Sequence, residues 1–111
     1  MVLRLDHVQR LNLVALLGAQ RGTLDTIRAL WRLQDKLDLT EEEKQAIGLE
    51  VRNINGQEIR LWRSEASIPV REFDLSEQDV ERLRNVIRQW DGFEAAGTRR
   101  WLEPILEQLK L

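Results

Sequence analysis

Leu39-Thr40-Glu41-Glu42-Glu43-Lys44-Gln45-Ala46-Ile47-Gly48-Leu49-Glu50-Val51-Arg52-Asn53-Ile54-Asn55-Gly56-Gln57-Glu58-Ile59-Arg60-Leu61-Trp62 is the stretch in which the chain changes its period. Its first half reads as a helix. Thr40 with Glu43 forms a capping box, Glu41 and Glu42 suit the positive end of the helix dipole, and Gly48 is a natural stop. Its second half alternates, with Leu49 and Val51 before Asn55-Gly56 and Ile59 and Leu61 after it, which predicts a β-hairpin. Two registers compete. A two-residue turn at Asn55-Gly56 sets Val51 opposite Arg60 and Arg52 opposite Ile59. A three-residue loop, Ile54-Asn55-Gly56, pairs Leu49 with Leu61 and Val51 with Ile59, and on the other face Glu50 with Arg60 and Arg52 with Glu58. The second matches apolar to apolar and charge to opposite charge, so it is the expected register. It places Trp62 on the charged face, beside Arg60 and Glu50.

Working outward, the preceding residues predict two helices. Asp6 with Gln9 opens the first as a capping box, and Val8, Leu11, Ala15 and Leu16, with Leu13, Val14 and Leu17 beside them, give it a broad apolar face. Gly18 and Gly22 bracket its exit. Thr23 caps the second, where Leu24, Ile27, Leu30, Trp31 and Leu37 recur at helical spacing. After the hairpin, Ile68, Val70 and Arg71 to Phe73 predict a third short strand, at an edge because Pro69 has no amide to donate. Ser76 with Asp79 caps a fourth helix, with Val80, Leu83, Val86, Ile87 and Trp90 as its stripe and Gly92 as its end. Phe93, Trp101, Leu102, Ile105, Leu106 and Leu109 mark a last helix, and Pro104 predicts a kink there or a restart with Pro104 in the first turn. Trp31, Trp90 and Trp101 lie on apolar stripes and are expected in the core.

The predicted fold class is α+β, in a single domain over residues 1–111. It has three N-terminal helices, a β-hairpin plus a third short antiparallel strand, and two C-terminal helices. Three helices followed by a hairpin is also the element order of a winged helix.

Composition narrows the chemistry. The 111 residues hold no cysteine, no tyrosine and one histidine, His7, at a predicted helix start. Disulfide and cysteine–zinc frameworks are excluded. No Ser–His–Asp set, HExxH or glycine-rich phosphate loop can be assembled, so no catalytic, metal or cofactor-binding residues are expected. The longest apolar run, Leu13 to Leu17, is far too short to span a membrane. The N-terminal residues lack a signal-peptide core, which predicts a cytoplasmic product.

Charge disfavours nucleic acid. The 17 basic and 19 acidic side chains give a net charge of −2, and residues 1–48 carry seven of each. A duplex-DNA binder needs a cationic face, and here the third helix would lead with three glutamates. Arg52 on the hairpin and the Arg99-Arg100 pair before Trp101 are the residues a nucleic-acid reading would use. Protein recognition is the leading expectation. Trp62 beside Arg60, with Arg63 and Arg71 bordering it, has the make-up of an interface anchor with bidentate arginines at its rim.

The stretch from Leu11 to Leu61 also resembles a family of small phage and prophage proteins of unknown function. The matching pieces are Gly22-Thr23, Leu39-Thr40-Glu41-Glu42-Glu43, and Ile59 with Trp62. The Ile-Arg-Leu-Trp spacing is one residue longer than the family's shorter form. The resemblance implies a viral or mobile-element origin, hence the cytoplasm of a host cell, and supplies no catalytic residues. The expected function is therefore a non-enzymatic module that binds a host or viral protein. The alternatives are a winged-helix-like nucleic-acid-binding regulator, or a homo-oligomeric virion or assembly component.

Overall fold

Each side-chain helix cap anticipated from Asp6, Thr23, Thr40 and Ser76 is present in the computed structural model, which describes residues 1–63 and 67–111. The element order is β1 (Val2–Leu5), α1 (His7–Gly18), α2 (Leu24–Leu37), α3 (Glu41–Ile47), β2 (Glu50–Ile54), β3 (Gln57–Leu61), β4 (Arg71–Asp74), α4 (Glu77–Gln89) and α5 (Ala95–Leu109). The fold is α+β, with five helices and two small antiparallel sheets among the described residues. It divides into two compact units. One comprises residues 1–38 and 70–111, the other residues 39–69.

The first unit holds the main core. Leu3 and Leu5 of β1, Leu13 and Leu17 of α1, Leu33 and Leu37 of α2, Leu83 of α4, and Ile105 and Leu109 of α5 are all buried in one apolar cluster. β1 pairs with β4, with Val2 opposite Asp74 and Leu3 opposite Phe73. The third strand thus exists, but its partner is the chain's own N-terminal strand, and the hairpin forms a separate sheet. The ladder begins at Arg71, so Ile68 and Val70 lie outside it. Pro69, unable to donate, falls upstream of the strand.

One edge of this sheet is covered. The Gln108 side chain accepts from the Arg4 amide at 2.7 Å and donates to the Arg4 carbonyl at 2.9 Å. It satisfies the main chain of β1 as a neighbouring strand would.

Arg10 on α1 is fully buried. Its Nε donates to the Leu37 carbonyl at 2.9 Å and a terminal nitrogen donates to the Asp38 carbonyl at 2.7 Å. Its guanidinium carbon stands 5.2 Å from the centroid of Phe73. A cation from α1 thus closes the C-terminus of α2, where the last carbonyls have no helical partner.

Three expectations for this unit are corrected. Trp31 is 54% exposed. Leu30, Leu33 and Leu37 define the buried stripe of α2, and Trp31 is turned one residue, about 100°, away from it. Trp90 and Trp101 do pack against the core, each half-buried. α4 ends at Gln89 with Trp90 as its C-cap, ahead of Gly92. Gly92 serves a close approach instead, since a Cβ there would meet the Trp90 indole at 2.7 Å. In α5 the non-helical residues are Ala96 and Gly97, the latter with φ of 85°, while Pro104 lies inside the helix. The break sits at the glycine because a left-handed residue costs glycine almost nothing.

In the second unit, α3 is closed by Gly48 at φ 65° and leads into the hairpin. The register is Glu50 to Leu61, Val51 to Arg60, Arg52 to Ile59, Asn53 to Glu58 and Ile54 to Gln57. The expected three-residue loop is therefore overturned, and the turn is the two-residue Asn55-Gly56. Asn55 has φ of 52° and Gly56 of 79°, the pair of left-handed residues a type I′ turn requires. Turn chemistry outweighed side-chain matching because the ribbon is exposed, and cross-strand pairs there are worth only about 0.2–1 kcal/mol each. A Gly56→Val change forces a β-branched residue into the left-handed region at roughly 1–2 kcal/mol. Amide exchange in β2 and β3 should then rise about tenfold or more. Unchanged exchange would mean that this turn does not set the register.

Candidate functional site

The two-residue turn decides which side chains share a face. Opposed residues lie on the same side of an antiparallel ribbon, and side chains alternate along each strand. Arg60 and Glu58 of β3 therefore share a face with Val51 and Asn53 of β2, and the alternation carries Trp62 to that face. Glu50, Arg52, Ile54, Ile59 and Leu61 lie on the other. The expected grouping of Trp62 with Arg60 holds, while Glu50 moves to the opposite face. The expected cross-strand charge pairs are replaced by pairs along each strand: Glu50 with Arg52 at 2.8 Å and Glu58 with Arg60 at 3.6 Å.

The hairpin is exposed along its length. Every residue of β2 is exposed, and in β3 only Ile59 and Arg60 are half-buried. Val51 is 56% exposed, Ile54 48% and Leu61 42%. Trp62 is half-buried. The ribbon thus carries large apolar side chains on both faces, alongside paired charges.

Arg63 does something the sequence did not suggest. Its main-chain amide donates to the Ile47 carbonyl at 3.0 Å, and its guanidinium donates to the Ala46 carbonyl. A Cβ at Gly48 would meet Arg63 Nε at 3.1 Å. Arg63 therefore lies across the end of α3, a cation at the negative end of the helix dipole, and ties the root of the hairpin to the helix before it. Truncation by Arg63→Ala should cost about 1 kcal/mol. It should also speed amide exchange at Leu49 and Arg63, the residues at the hairpin root. No change at these amides would show that the contact carries no load.

Arg71 belongs to the other compact unit, on β4, with its guanidinium carbon 5.2 Å from the Phe73 centroid. Of the residues of the nucleic-acid reading, Arg52 belongs to one compact unit and Arg99 and Arg100 to the other. Arg52 is engaged by Glu50. Arg99 donates to Glu103 at 2.8 Å, and this hydrogen bond holds its guanidinium pKa above the usual value. Arg100 is exposed on the same helix.

A second exposed apolar feature lies on α2. Leu24 is 58% exposed, and it stands seven residues, about two turns, before Trp31. The signal was present in the sequence, since Leu30, Leu33 and Leu37 already account for one buried face. Among the described residues, no three His, Asp or Glu side chains gather in a way that could hold a metal ion. Also among the described residues, no helix is long and apolar enough to cross a membrane. The run Glu41-Glu42-Glu43 works at the start of α3. Glu43 accepts from the Thr40 amide at 2.9 Å, and Glu41 pairs with Lys44 at 3.4 Å.

Comparison with protein-family models, with curated proteins and with solved structures finds no match to this chain.

Proposed function

We propose that the chain is a non-enzymatic interaction module of phage type, acting in the cytoplasm, which binds a host or viral protein through its hairpin. The observation that carries this reading is the exposure of Val51 on the face of the half-buried Trp62, and of Ile54 and Leu61 on the opposite face, in a ribbon whose β2 strand is exposed at every residue. Exposed apolar side chains concentrated in one short segment mark recognition surfaces, because solvent exposure gives them no other return. Tryptophan anchors and arginine rims are the residue types that dominate binding energy. Arg60 supplies the rim on the Trp62 face, while Arg63 holds the ribbon at its root.

The reading is tested by capture from a lysate with the wild-type chain and with Gly56→Val. Loss of the captured protein with Gly56→Val is the expected outcome. Equal capture by both would remove the hairpin from the account. Retention of the wild type on duplex DNA, with a steep fall as salt rises, would favour a nucleic-acid regulator using Arg52, Arg99 and Arg100.

A further inference from the structure

We infer that β2 is a self-pairing edge, and that two copies of this chain join antiparallel across a two-fold axis at Val51 to form a four-stranded sheet. This goes beyond recognition by the Trp62 face, because it uses the main chain along the outer edge of the ladder.

The backbone supplies the first part of the argument. In a ribbon closed by a two-residue turn, the pair next to the turn and every second pair beyond it exchange their hydrogen bonds inward. Here those pairs are Ile54 with Gln57, Arg52 with Ile59, and Glu50 with Leu61. The amides and carbonyls of Val51 and Asn53 therefore point away from β3. Among the described residues no side chain covers them, in contrast to β1, whose edge is occupied by Gln108. Proline, lysine and a bulge, which blunt edges elsewhere, are missing from Glu50–Ile54. An isolated two-stranded ribbon is marginal in water, and added strands stabilise it.

The side chains supply the second part. β2 reads Glu-Val-Arg over residues 50–52, a pattern complementary to itself when reversed. With Val51 opposite Val51 of the second copy, Glu50 faces Arg52 of the second copy and Arg52 faces Glu50. The two intrachain ion pairs then close into a ring of four charges of alternating sign. The other registers that the outward amides allow are worse. Centring on Glu50 sets two glutamates opposite each other, centring on Arg52 sets two arginines opposite each other in a close pair, and centring on Asn53 leaves every charge without a cross-strand partner. In the favoured register Val51 exchanges two hydrogen bonds with its counterpart, and each Asn53 amide reaches the Leu49 carbonyl of the other copy. The Leu49 amide is already given to Lys44 at 2.9 Å, so the ladder stops there. Such an arrangement is a two-fold, isologous contact that closes on itself at two copies.

The test is sedimentation velocity from about 10 μM to about 1 mM. It uses the wild type, Glu50→Arg, Arg52→Glu, and an equimolar mixture of the two variants. The wild type should dimerise. Each variant alone sets like charges across the axis, four positive or four negative, and should associate about tenfold to hundredfold more weakly. The mixture should recover association near the wild-type level, because every cross-strand pair is again of opposite sign. Neither variant retains the intrachain ion pair, so recovery in the mixture reports the contact between chains. A wild type that stays monomeric throughout, variants that associate as well as the wild type, or a mixture that stays monomeric would each overturn the proposal. Trp62→Ala should leave the dimer intact, which separates this edge from recognition through the Trp62 face.

Discussion

Replacing Arg10 by alanine should lower the unfolding free energy by about 3–5 kcal/mol, a loss as large as that of emptying a core leucine site. The side chain is fully buried and donates to the carbonyls of both Leu37 and Asp38, at 2.9 and 2.7 Å. Alanine would leave both acceptors at the end of α2 without these donors and would open a void beside Phe73, over which the guanidinium now lies. A buried acceptor left unsatisfied costs roughly 1–3 kcal/mol, which is why truncation is worse than never having had the pair. Against a typical total of about 5–15 kcal/mol, this is a large fraction, and the thermal midpoint should fall by roughly 10–20 °C. Arg10→Met separates the causes. It keeps most of the apolar stem while removing the donors, so it should recover the packing part of the loss and none of the capping part. Thermal and urea melts of the three chains measure this. A loss under about 1 kcal/mol for Arg10→Ala would mean that water can replace the guanidinium.

Arg10 also illustrates which parts of the fold were legible. The helix starts were, because a cap is a local device: Asp6, Thr23, Thr40 and Ser76 each bond a backbone amide three residues on. The stripe of α4 is legible for the same reason, since period is a local property, whereas on α1 Leu11 and Leu16 are buried as expected but Ala15 is exposed and Gln9 and Arg10 are buried. The capping role of Arg10 was not, because its acceptors lie 27 and 28 residues away and nothing in its neighbourhood announces them. β1 was missed although Val2-Leu3-Arg4-Leu5 alternates out and in, as the observed burial does. Four residues of alternation are weak evidence, and the partner strand lies about 70 residues along the chain. The hairpin's existence is plain from Asn55-Gly56, but side-chain matching points to a register one residue away from the observed one. On a buried ribbon that preference would have won, since a slip of one residue exposes a whole apolar face. On this exposed ribbon the turn decided it. Trp31 was misplaced because an indole on an amphipathic helix is usually core, and the stripe of Leu30, Leu33 and Leu37 left it outside.

Trp62 carries the second large effect. Truncation of a tryptophan anchor commonly removes 2 kcal/mol or more of binding energy, so Trp62→Ala should weaken partner capture roughly 30-fold or more. Its effect on folding should be far smaller. The indole is half-buried, and it falls outside the apolar cluster that holds the first unit together. A loss of about 1 kcal/mol is expected, well under that of Arg10→Ala. Trp31→Ala is the natural control, because that indole is 54% exposed on α2 and belongs to no part of the hairpin.

Quantitative capture from lysate with the wild type, Trp62→Ala and Trp31→Ala, each first matched by circular dichroism and thermal melt, bears on the recognition surface most directly. The ribbon account predicts the same captured protein with the wild type and Trp31→Ala, and little or none with Trp62→Ala at a nearly unchanged melting midpoint. Undiminished capture by Trp62→Ala, or a midpoint that drops as far as it does for Arg10→Ala, would contradict it.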